Sequence, residues 1–477
     1  MISTSKYNIK INVSTFKSQL NVAKEAKLEF GEVRTPTSLV NNILDLFPTS
    51  IYCNINKRWL DVGAGTGQFS IELFKRLNYH LSGVIPEQSK RHHHILTKMM
   101  YMIEIQPTLV EELKQTFGSN ANIWNQDFLT DSLKKSDFDC IIGNPPFNCK
   151  GMKKVPTNTV SSKRQDGKTI WPAFVRKSME YLKESGYVAM ITPSLWMHQD
   201  KAKIFNLLSN HKICNIRSYS NTETNRLFKG QAQTPTSYFL VRKTNSDGAA
   251  YLFDACKQEY IRFPIRPEFP LPVFGVSVIN KLIPFVTGFG YLKVTPSTSP
   301  TKSAQFSLTK NSQHTYCVVK TCVLNKLQPV LQTVYFNQSM PFQNKPKLIL
   351  AHKMYGFPYV DLDGKLGVSF RDNFIITISD EVLKKNKNKK RLERKLLTKI
   401  KDFLSTKLAL YIFEAARYRM KYLDKYAFQF IPDITKLPNL PTLINDTTLA
   451  KYFALDEKEQ KAIQNLHKKS YMQAILN

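Results

Sequence analysis

A side-chain amide, two prolines and an aromatic ring follow an apolar run in the segment DFDCIIGNPPF. An amino group attached to an aromatic ring is a poor nucleophile, because its lone pair is delocalised into the ring. Two hydrogen-bond acceptors can draw such a group toward tetrahedral geometry and release the lone pair. The side-chain oxygen of Asn144 and the carbonyl of Pro145 are suited to this role, and Pro145 and Pro146 make the turn rigid. Phe147 offers a flat face for stacking, so the motif predicts chemistry on the amino group of an aromatic base.

A glycine-rich turn lies upstream, in LDVGAGTGQF at residues 60–69. Its apolar start predicts a strand that ends at Asp61, and the pattern after the glycines predicts a helix. Gly63, Ala64, Gly65 and Gly67 would let the backbone approach a ligand at the carboxyl end of a parallel strand. The spacing differs from the dinucleotide fingerprint, and no lysine follows as in a phosphate-binding loop. The turn resembles the S-adenosylmethionine (SAM) loop of Rossmann-like methyltransferases, and a strand–helix turn without a ligand is the alternative.

In such a site a second acid is expected at the end of the next strand, where a carboxylate can accept both ribose hydroxyls. Glu87 lies 26 residues after Asp61 and Glu104 lies 43 residues after it, so the usual spacing of about 20 favours Glu87. The local pattern favours Glu104, because MYMIEI is a clean apolar strand, whereas a proline interrupts the segment before Glu87. We therefore predict that Glu104 binds the ribose and that residues 77–97 are an insertion.

A third acid, Asp127, follows the short apolar segment NIWNQ, 17 residues before Asn144. In a SAM site this carboxylate would accept a hydrogen bond from the adenine amino group of the cofactor. The alternative is that Asp127 caps the helix or turn that follows it.

Three consecutive histidines at residues 92–94 raise the question of a metal site. Adjacent helical residues point to different faces, so at most two of the three could share an ion. The seven cysteines are odd in number and contain no CxxC pair, which argues against a zinc ribbon and a disulfide framework. We predict no metal site and a reducing, intracellular compartment.

The chain is strongly basic, with 68 Lys and Arg against 37 Asp and Glu in 477 residues, a formal charge of +31. A charge of this size predicts a polyanionic partner, most simply nucleic acid, although a lysine-rich genome is an alternative cause. Residues 215–477 contain 40 basic and 19 acidic residues, so +21 of the formal charge of +31 lies in this second part of the chain. The run at 384–395 has eight basic residues in twelve, and it predicts either phosphate contacts or a solvated helix. No apolar stretch is long and unbroken enough to predict a membrane span or a signal peptide.

Strand-like and helix-like segments alternate from the glycine turn to about residue 244, which predicts an α/β fold with a mostly parallel, doubly wound sheet. The pattern then changes, with closely spaced prolines, strand-and-turn segments such as DLDGKLG, whose Asp-Gly pair predicts a hairpin, and a basic helix. We predict an arm at 1–30, a Rossmann-like catalytic domain with a seven-stranded sheet at 31–245, an α+β target-recognition domain at 246–450 and a helical tail at 451–477.

In their order, these motifs resemble those of the γ class of adenine-specific amino-methyltransferases, DNA-modifying enzymes with an N-P-P-Y/F signature, including solitary, restriction-associated and viral members. GEVRTP at 31–36 resembles the upstream cofactor motif of that class, which assigns Thr35 and Pro36 to cofactor binding. LFKGQAQTPTSYFLVRK resembles the last catalytic-domain motif, where an aromatic residue packs on the flipped base, and Phe228 is the candidate. Phe147 replaces the commoner tyrosine, which removes a hydroxyl and retains the stacking face.

The resemblance implies transfer of a methyl group from SAM to the 6-amino group of a flipped-out adenine in a specific sequence of double-stranded DNA, with Asn144 also in the cofactor site. Because the methyltransferase motifs begin near residue 31, we expect no nuclease domain upstream of them and no cleavage activity, and a separate restriction endonuclease is a candidate partner. Three alternatives remain open: amino-methylation of adenine or guanine in RNA, modification of protein glutamine amides, and a catalytically silent DNA-binding subunit of a modification complex.

Overall fold

The computed structural model describes residues 29–133, 137–150, 168–325, 328–352, 358–384, 387–419 and 423–466. The chain divides into two compact units. The first unit runs to Phe253 and includes Arg262–Glu268, and the second contains Asp254–Ile261 and continues from Phe269. The four segments expected from the sequence stay a prediction.

The first part of the chain is built on a nine-stranded sheet with the order β11-β10-β8-β9-β7-β4-β1-β2-β3. Strands β3, β2, β1, β4 and β7 are parallel, β9 is antiparallel to β7 and β8, and β10 is parallel to β8. Every residue of β1, β2 and β4 is buried, as expected for central strands of a parallel sheet. The strands are β1 (Trp59–Val62), β2 (Met100–Glu104), β3 (Asn122–Asn125), β4 (Phe138–Gly143), β7 (Leu182–Pro193), β8 (His211–Tyr219), β9 (Thr236–Asn245), β10 (Ala249–Asp254) and β11 (Glu259–Pro264).

This topology confirms the predicted α/β, Rossmann-like class. The sheet has nine strands where the sequence predicts seven, because β10 and β11 extend it beyond β8. A separate two-stranded ribbon, β5 (Asn148–Cys149) with β6 (Lys168–Thr169), follows the NPPF motif.

Eight α-helices of the described residues connect these strands, and their buried positions recur at helical spacing, as the sequence pattern predicts. The longest, after the glycine turn, buries eight of its thirteen residues. The helices are α1 (Thr37–Leu44), α2 (Thr49–Tyr52), α3 (Gln68–His80), α4 (Gln88–His94), α5 (Pro107–Phe117), α6 (Trp171–Tyr181), α7 (Ile204–Ser209) and α8 (Asn221–Leu227), with a π-helical turn at Ile95–Met99 and a 3₁₀ turn at Ser194–Met197.

One predicted helix end is wrong. The segment WPAFVRKSMEYLKESG suggests a helix closed by its final glycine, but α6 ends at Tyr181 and β7 begins at the next residue. Gly186 lies within β7, where a Cβ would come within 2.9 Å of the Asp139 carbonyl oxygen. The glycine therefore permits close approach of neighbouring strands rather than a helix cap.

The second unit is α+β, with two four-stranded sheets of order β12-β19-β16-β17 and β13-β15-β14-β18. Its strands are β12 (Thr295–Pro296), β13 (Phe306–Ser307), β14 (Tyr316–Asn325), β15 (Gln328–Phe336), β16 (Lys347–Ala351), β17 (Pro358–Asp361), β18 (Gly367–Val368) and β19 (Asn373–Ile376). Its helices are α9 (Val276–Phe289), α10 (Asp380–Lys384), α11 (Lys389–Leu404), α12 (Lys407–Ala415), α13 (Asp446–Tyr452) and α14 (Glu457–Gln464), with a 3₁₀ turn at Lys425–Phe430.

The hairpin predicted from DLDGKLG is also wrong. The flanking strands β17 and β18 belong to different sheets. The Asp361 carboxylate accepts hydrogen bonds from the Lys347 ammonium at 2.6 Å and from the backbone N–H groups of Lys365 and Leu366, and these contacts fix the turn. The Asp-Gly pair thus marks a turn between sheets, which short-range signals do not distinguish from a hairpin.

Among the described residues, no helix combines the length and the apolar character that crossing a bilayer requires.

Candidate active site

The glycine turn joins β1 to α3, and its three glycines all have positive φ: 72° at Gly63, 58° at Gly65 and 86° at Gly67. At Gly67 a Cβ would lie 2.9 Å from Leu113 Cδ2, so a side chain would disturb the packing between helices. At Gly65 a Cβ would meet nothing within 4 Å, which shows that the backbone is open on that side. The turn therefore presents unobstructed backbone at the carboxyl end of β1.

Glu104 is the last residue of β2, and its carboxylate is tied to the turn. Its two oxygens accept the backbone N–H of Gly65 at 2.8 Å and of Gln106 at 2.9 Å. Burial raises the pKa of the Glu104 carboxyl, and these two hydrogen bonds oppose the rise. Glu87, by contrast, is exposed at the start of α4, where it pairs with Lys90. Of the two acids considered as the ribose ligand, Glu104 is the one at the glycine turn.

A cavity of about 440 Å³ lies beside the turn. It is lined by residues from the upstream motif, the glycine turn, the ends of β2 and β3, and the segment after β4. Eight residues predicted for the site line it: Thr35, Gly63, Ala64, Gly65, Glu104, Asp127, Asn144 and Pro146. Six others are not among its lining residues: Pro36, Asp61, Gly67, Pro145, Phe147 and Phe228. The roles assigned to all of them stay predictions.

The Asn144 amide is oriented by the upstream motif. Its Nδ2 donates to Thr35 Oγ1 at 3.0 Å and to the Val33 carbonyl at 3.3 Å. Within the described part of the chain, no group donates to Asn144 Oδ1. The nitrogen of this amide is thus engaged by protein, and its oxygen is the atom that is left to accept a hydrogen bond from a ligand.

The upstream motif packs closely on the chain that follows NPPF. A Cβ on Gly31, whose φ is 70°, would lie 2.0 Å from the Asn148 carbonyl oxygen. The Lys150 backbone N–H donates to the Glu29 carbonyl at 3.1 Å. Residues 29–35 therefore form one wall of the cavity and are held against the segment that carries Asn144.

Loss of the Thr35 hydroxyl should reduce turnover without weakening SAM binding. In Thr35→Val the Asn144 amide loses its better acceptor and can rotate, so we expect kcat to fall about tenfold, in line with one lost hydrogen bond of about 1–1.5 kcal/mol. Thr35→Ser retains the hydroxyl and should restore kcat. Steady-state methylation kinetics with calorimetric SAM binding test this; a normal kcat in Thr35→Val would show that the hydroxyl does not position the amide.

The two aromatic candidates are less open than the sequence suggests. Phe147 is half-buried and packs against the hydrophobic core of the first unit, and its carbonyl accepts the Ile170 N–H at 3.2 Å. Phe228 is only 2% exposed and belongs to the same core. Stacking of a base on Phe228 would require a rearrangement of this core.

Asp127 has a position that is compatible with both alternatives left open by the sequence, a carboxylate in the cofactor site and a cap of the turn that follows it. It lines the cavity, and its Oδ1 accepts the Leu129 N–H at 2.8 Å, which is a local cap of the turn after β3. A carboxylate can accept several hydrogen bonds, so the cap leaves capacity for a ligand amino group.

Asp61 lies behind the glycine turn rather than on the cavity. It is 2% exposed, and Ser70 Oγ donates to its carboxylate at 2.7 Å. Burial raises the pKa of Asp61 to about 7, with a smaller contribution from the nearby Glu104 and an opposing one from Ser70. The Asp61 side chain thus bonds Ser70 on α3 and does not line the cavity in this structure.

This raised pKa predicts a pH dependence of stability. Below about pH 4 Asp61 is protonated in both folded and unfolded chains. As pH rises toward 7, the unfolded chain releases this proton first, so stability falls with rising pH until the folded pKa is passed. Between pH 5 and pH 8, Asp61→Asn should gain roughly 2.5 kcal/mol relative to the unsubstituted protein.

Urea unfolding followed by tryptophan fluorescence measures this difference, since all four tryptophans lie in the first unit. Asp45→Asn, at a half-exposed side chain, is the control. A stability difference that is constant across this pH range would contradict the assignment.

Three polar residues of the cavity were not identified from the sequence. Gln106 donates its side-chain Nε2 to Glu32 at 3.1 Å and its backbone N–H to Glu104, so it connects the upstream motif with Glu104. Gln126 lines the cavity with a buried Oε1 that has no hydrogen-bond donor among the described residues. Glu32 lies within the GEVRTP motif and could have been found there, whereas Gln106 and Gln126 carry no signal beyond their positions near strand ends.

The histidine run has a packing role in this structure. His92 packs edge-on against Phe74, with ring centroids 5.0 Å apart, and His94 Nε2 is 3.0 Å from the Ile55 carbonyl oxygen. These two rings, which lie two positions apart, make separate contacts.

Comparison with known proteins shows what part of the chain is similar to. Residues 44–225 match the family model described as Eco57I restriction-modification methylase. This part of the chain is therefore similar to restriction-modification methylases of the Eco57I family. The predicted resemblance to restriction-associated adenine methyltransferases is confirmed by this match together with the adenine-specific methylase among the relatives of the chain.

Two relatives share 23% identity with this chain. One is the type II restriction enzyme and methyltransferase RM.Eco57I of Escherichia coli, over 296 residues that cover 48% of this chain and 29% of that protein. The other is an uncharacterized adenine-specific methylase of Mycoplasma pneumoniae, over 253 residues that cover 37% of this chain and 58% of that protein. The chain thus spans less than two thirds of the length of either relative.

Solved structures include more distant matches. The match to the type IIG restriction endonuclease BpuSI covers 93% of this chain and 66% of the BpuSI chain, with 12% identity and a TM-score of 0.41. The match to the M protein of the type I restriction enzyme EcoKI covers 46% of this chain and 48% of the M protein chain, with 15% identity and a TM-score of 0.36.

Proposed function

We propose that this chain transfers a methyl group from SAM to the 6-amino group of an adenine that is flipped out of duplex DNA at a specific sequence. The observation that carries the proposal is the orientation of Asn144, which lines the cavity beside the glycine turn and whose amide nitrogen is held by Thr35 and Val33, so that its oxygen is left to accept. An oriented acceptor suits an amino group that must be activated without a strong base.

The cavity residues fit SAM. The Glu104 carboxylate, held by two backbone N–H groups, has remaining lone pairs for the ribose hydroxyls. Asp127 would accept a hydrogen bond from the adenine amino group of SAM. The buried Gln126 Oε1 supplies one more hydrogen-bond acceptor. When bound, SAM supplies an electrophilic methyl group on a sulfonium sulfur.

In the proposed reaction, Asn144 Oδ1 and the Pro145 carbonyl each accept a hydrogen bond from one N–H of the target amine. The lone pair would thereby be released from the ring toward the methyl group that SAM would supply, and the sulfur would leave as a neutral thioether. The extra proton on nitrogen leaves to solvent, since the product ammonium is strongly acidic. Phe147 would hold the base by its ring face.

A labelled-SAM assay on duplex DNA, structured RNA and protein tests this function. We expect label in DNA, in adenine bases of one short sequence. Label only in RNA or only in protein would replace DNA as the substrate, and no label in any of them would support a silent DNA-binding subunit. Sequencing of methylated adenines then gives the recognition site, and co-purification tests for a separate restriction endonuclease.

We propose that α11 contributes phosphate contacts to the bound DNA. Its apolar residues Leu397, Ile400, Phe403 and Leu404 are buried, and its basic residues near the start are exposed. The sequence run at 384–395 includes residues 385–386, which lie outside the described residues. An amphipathic helix of this kind leaves its cations available to a polyanion.

Neutralising four cations of α11 should flatten the salt dependence of DNA binding. Each lost phosphate contact reduces the slope of log affinity against log salt by about 0.9. Fluorescence anisotropy with the variant in which Lys389, Lys390, Arg391 and Lys395 are changed to glutamine measures this slope. Lys458→Gln/Lys461→Gln on α14 is the control, and equal slopes in both variants would leave α11 as a solvated helix.

A further inference from the structure

The second unit contains a long segment without acidic side chains. Residues 269–360 include nine lysines and no Asp or Glu. At the frequency of the whole chain, 37 acids in 477 residues, a segment of this length would contain about seven. General basicity raises the number of lysines, but it does not remove every carboxylate from 92 consecutive residues. The composition of the segment thus suits contact with a polyanion.

This acid-free segment also exposes large apolar side chains. Phe306 is 46% exposed, Leu308 74% and Tyr316 39%. Phe306 and Tyr316 are both register partners of Phe336, on β13 and β14 respectively, so the three side chains lie in one row on one face of the sheet. Phe336 is buried in a small core, where Phe306 packs against it with ring centroids 5.4 Å apart, and Phe306 and Tyr316 are partly exposed at the edge of this core.

Lysines flank these apolar residues in the chain. Lys302 precedes β13 and Lys310 follows Leu308, and both side chains are exposed. Among the described residues neither forms an ion pair. We refer to Lys302, Phe306, Leu308, Lys310 and Tyr316 as the 302–316 surface.

We propose that the 302–316 surface contacts duplex DNA, with the lysines on phosphates and the apolar side chains against sugars and base edges. This inference rests on the proposed function and specifies where the second unit meets its substrate. Cations interleaved with aromatic and aliphatic side chains match a groove, which presents phosphates at its rims and apolar sugar and base surface between them. Residues 269–360, which contain this surface, carry no carboxylate side chain, whereas acids are tolerated at the rim of an ordinary protein–protein patch.

The test compares two variants with matched controls in the full chain. Leu308→Ala is paired with Leu443→Ala, because Leu443 is similarly exposed at 68% in the same unit. Lys302→Gln/Lys310→Gln is paired with Lys458→Gln/Lys461→Gln. These positions carry little packing, so folding should be preserved, and circular dichroism together with SAM affinity verifies it. Binding to a duplex containing the methylated sequence is measured by anisotropy at several salt concentrations.

We expect Leu308→Ala to weaken DNA binding about threefold to tenfold with the salt slope unchanged, as for the loss of one apolar contact. The double lysine variant should lower the slope by about 1.8. Both controls should behave as the unsubstituted protein. Variants that bind DNA like their controls would overturn the proposal, as would a selective loss of binding to anionic phosphatidylserine vesicles or to a co-purified protein.

The outcome is separable from that of the proposed function. If the unsubstituted protein binds duplex DNA but transfers no methyl group, the methyltransferase function fails while the binding comparison still decides the surface. If it methylates DNA and the variants match their controls, the function stands and the surface proposal fails. If it binds no duplex DNA, both fail.

Discussion

Replacement of Asn144 by alanine is expected to reduce methyl transfer by about 10²–10³-fold while SAM affinity changes little. The Asn144 amide supplies an oriented acceptor, and alanine supplies none. Its partners Thr35 and Val33 would remain in the wall of the cavity. The acceptor matters most when the amine becomes tetrahedral, so the loss should appear in kcat rather than in the binding constants.

Single-turnover transfer from labelled SAM measures this effect, with SAM binding followed by calorimetry. Asn144→Asp is the informative second variant, because it retains an oxygen acceptor but cannot donate to Thr35 and Val33. We expect its rate to lie between those of Asn144→Ala and the unsubstituted protein. A rate in Asn144→Ala within threefold of the unsubstituted protein would exclude the proposed role of this amide.

The fold was largely predictable because its signals are local. The apolar runs of β1, β2 and β4 and the amphipathic helices between them are legible in any short window, and they indicate a parallel sheet. The errors occur where the outcome depends on distant partners. Gly186 has a role only in relation to Asp139 on the neighbouring strand, and the DLDGKLG turn is decided by which sheet each flanking strand joins.

The cavity was predictable in its motifs but not in its connections. The glycine turn and NPPF stand out by residue type, and the structure brings residues of both to one cavity. The hydrogen bond from Asn144 to Thr35 joins positions 109 residues apart, and no spacing rule predicts it. The solvent exposure of the aromatic candidates was also not predictable, because the same motif is compatible with a ring that faces a ligand and with one that, like Phe228, is buried in the core.

These connections make the upstream motif a common support for both halves of the reaction. Through Thr35 it orients the amide that would accept the substrate amine, and through Glu32 it reaches Gln106, whose backbone N–H holds Glu104. A displacement of residues 29–35 would therefore disturb the proposed cofactor and substrate sites together. Gly31 is the sensitive point, because its close contact with Asn148 leaves no room for a side chain.

The second large effect is expected at Glu104. Glu104→Ala should weaken SAM binding about ten- to a hundredfold, because it removes hydrogen bonds to a charged acceptor and leaves the Gly65 N–H without its partner. Glu104→Gln should also bind weakly, since each carboxylate oxygen accepts a backbone N–H and an amide NH₂ would oppose one of these donors. Calorimetric titration with SAM at constant salt measures both variants.

Glu87→Ala is the matched control, because Glu87 was the alternative ribose ligand and is exposed on α4. It should bind SAM as the unsubstituted protein does. Burial raises the pKa of Glu104, so protonation as pH falls toward that value should weaken SAM binding in the unsubstituted protein, and this dependence should be absent in Glu104→Gln. Loss of SAM binding in Glu87→Ala with normal binding in Glu104→Ala would reverse the assignment and place the ribose at the insertion rather than at the end of β2.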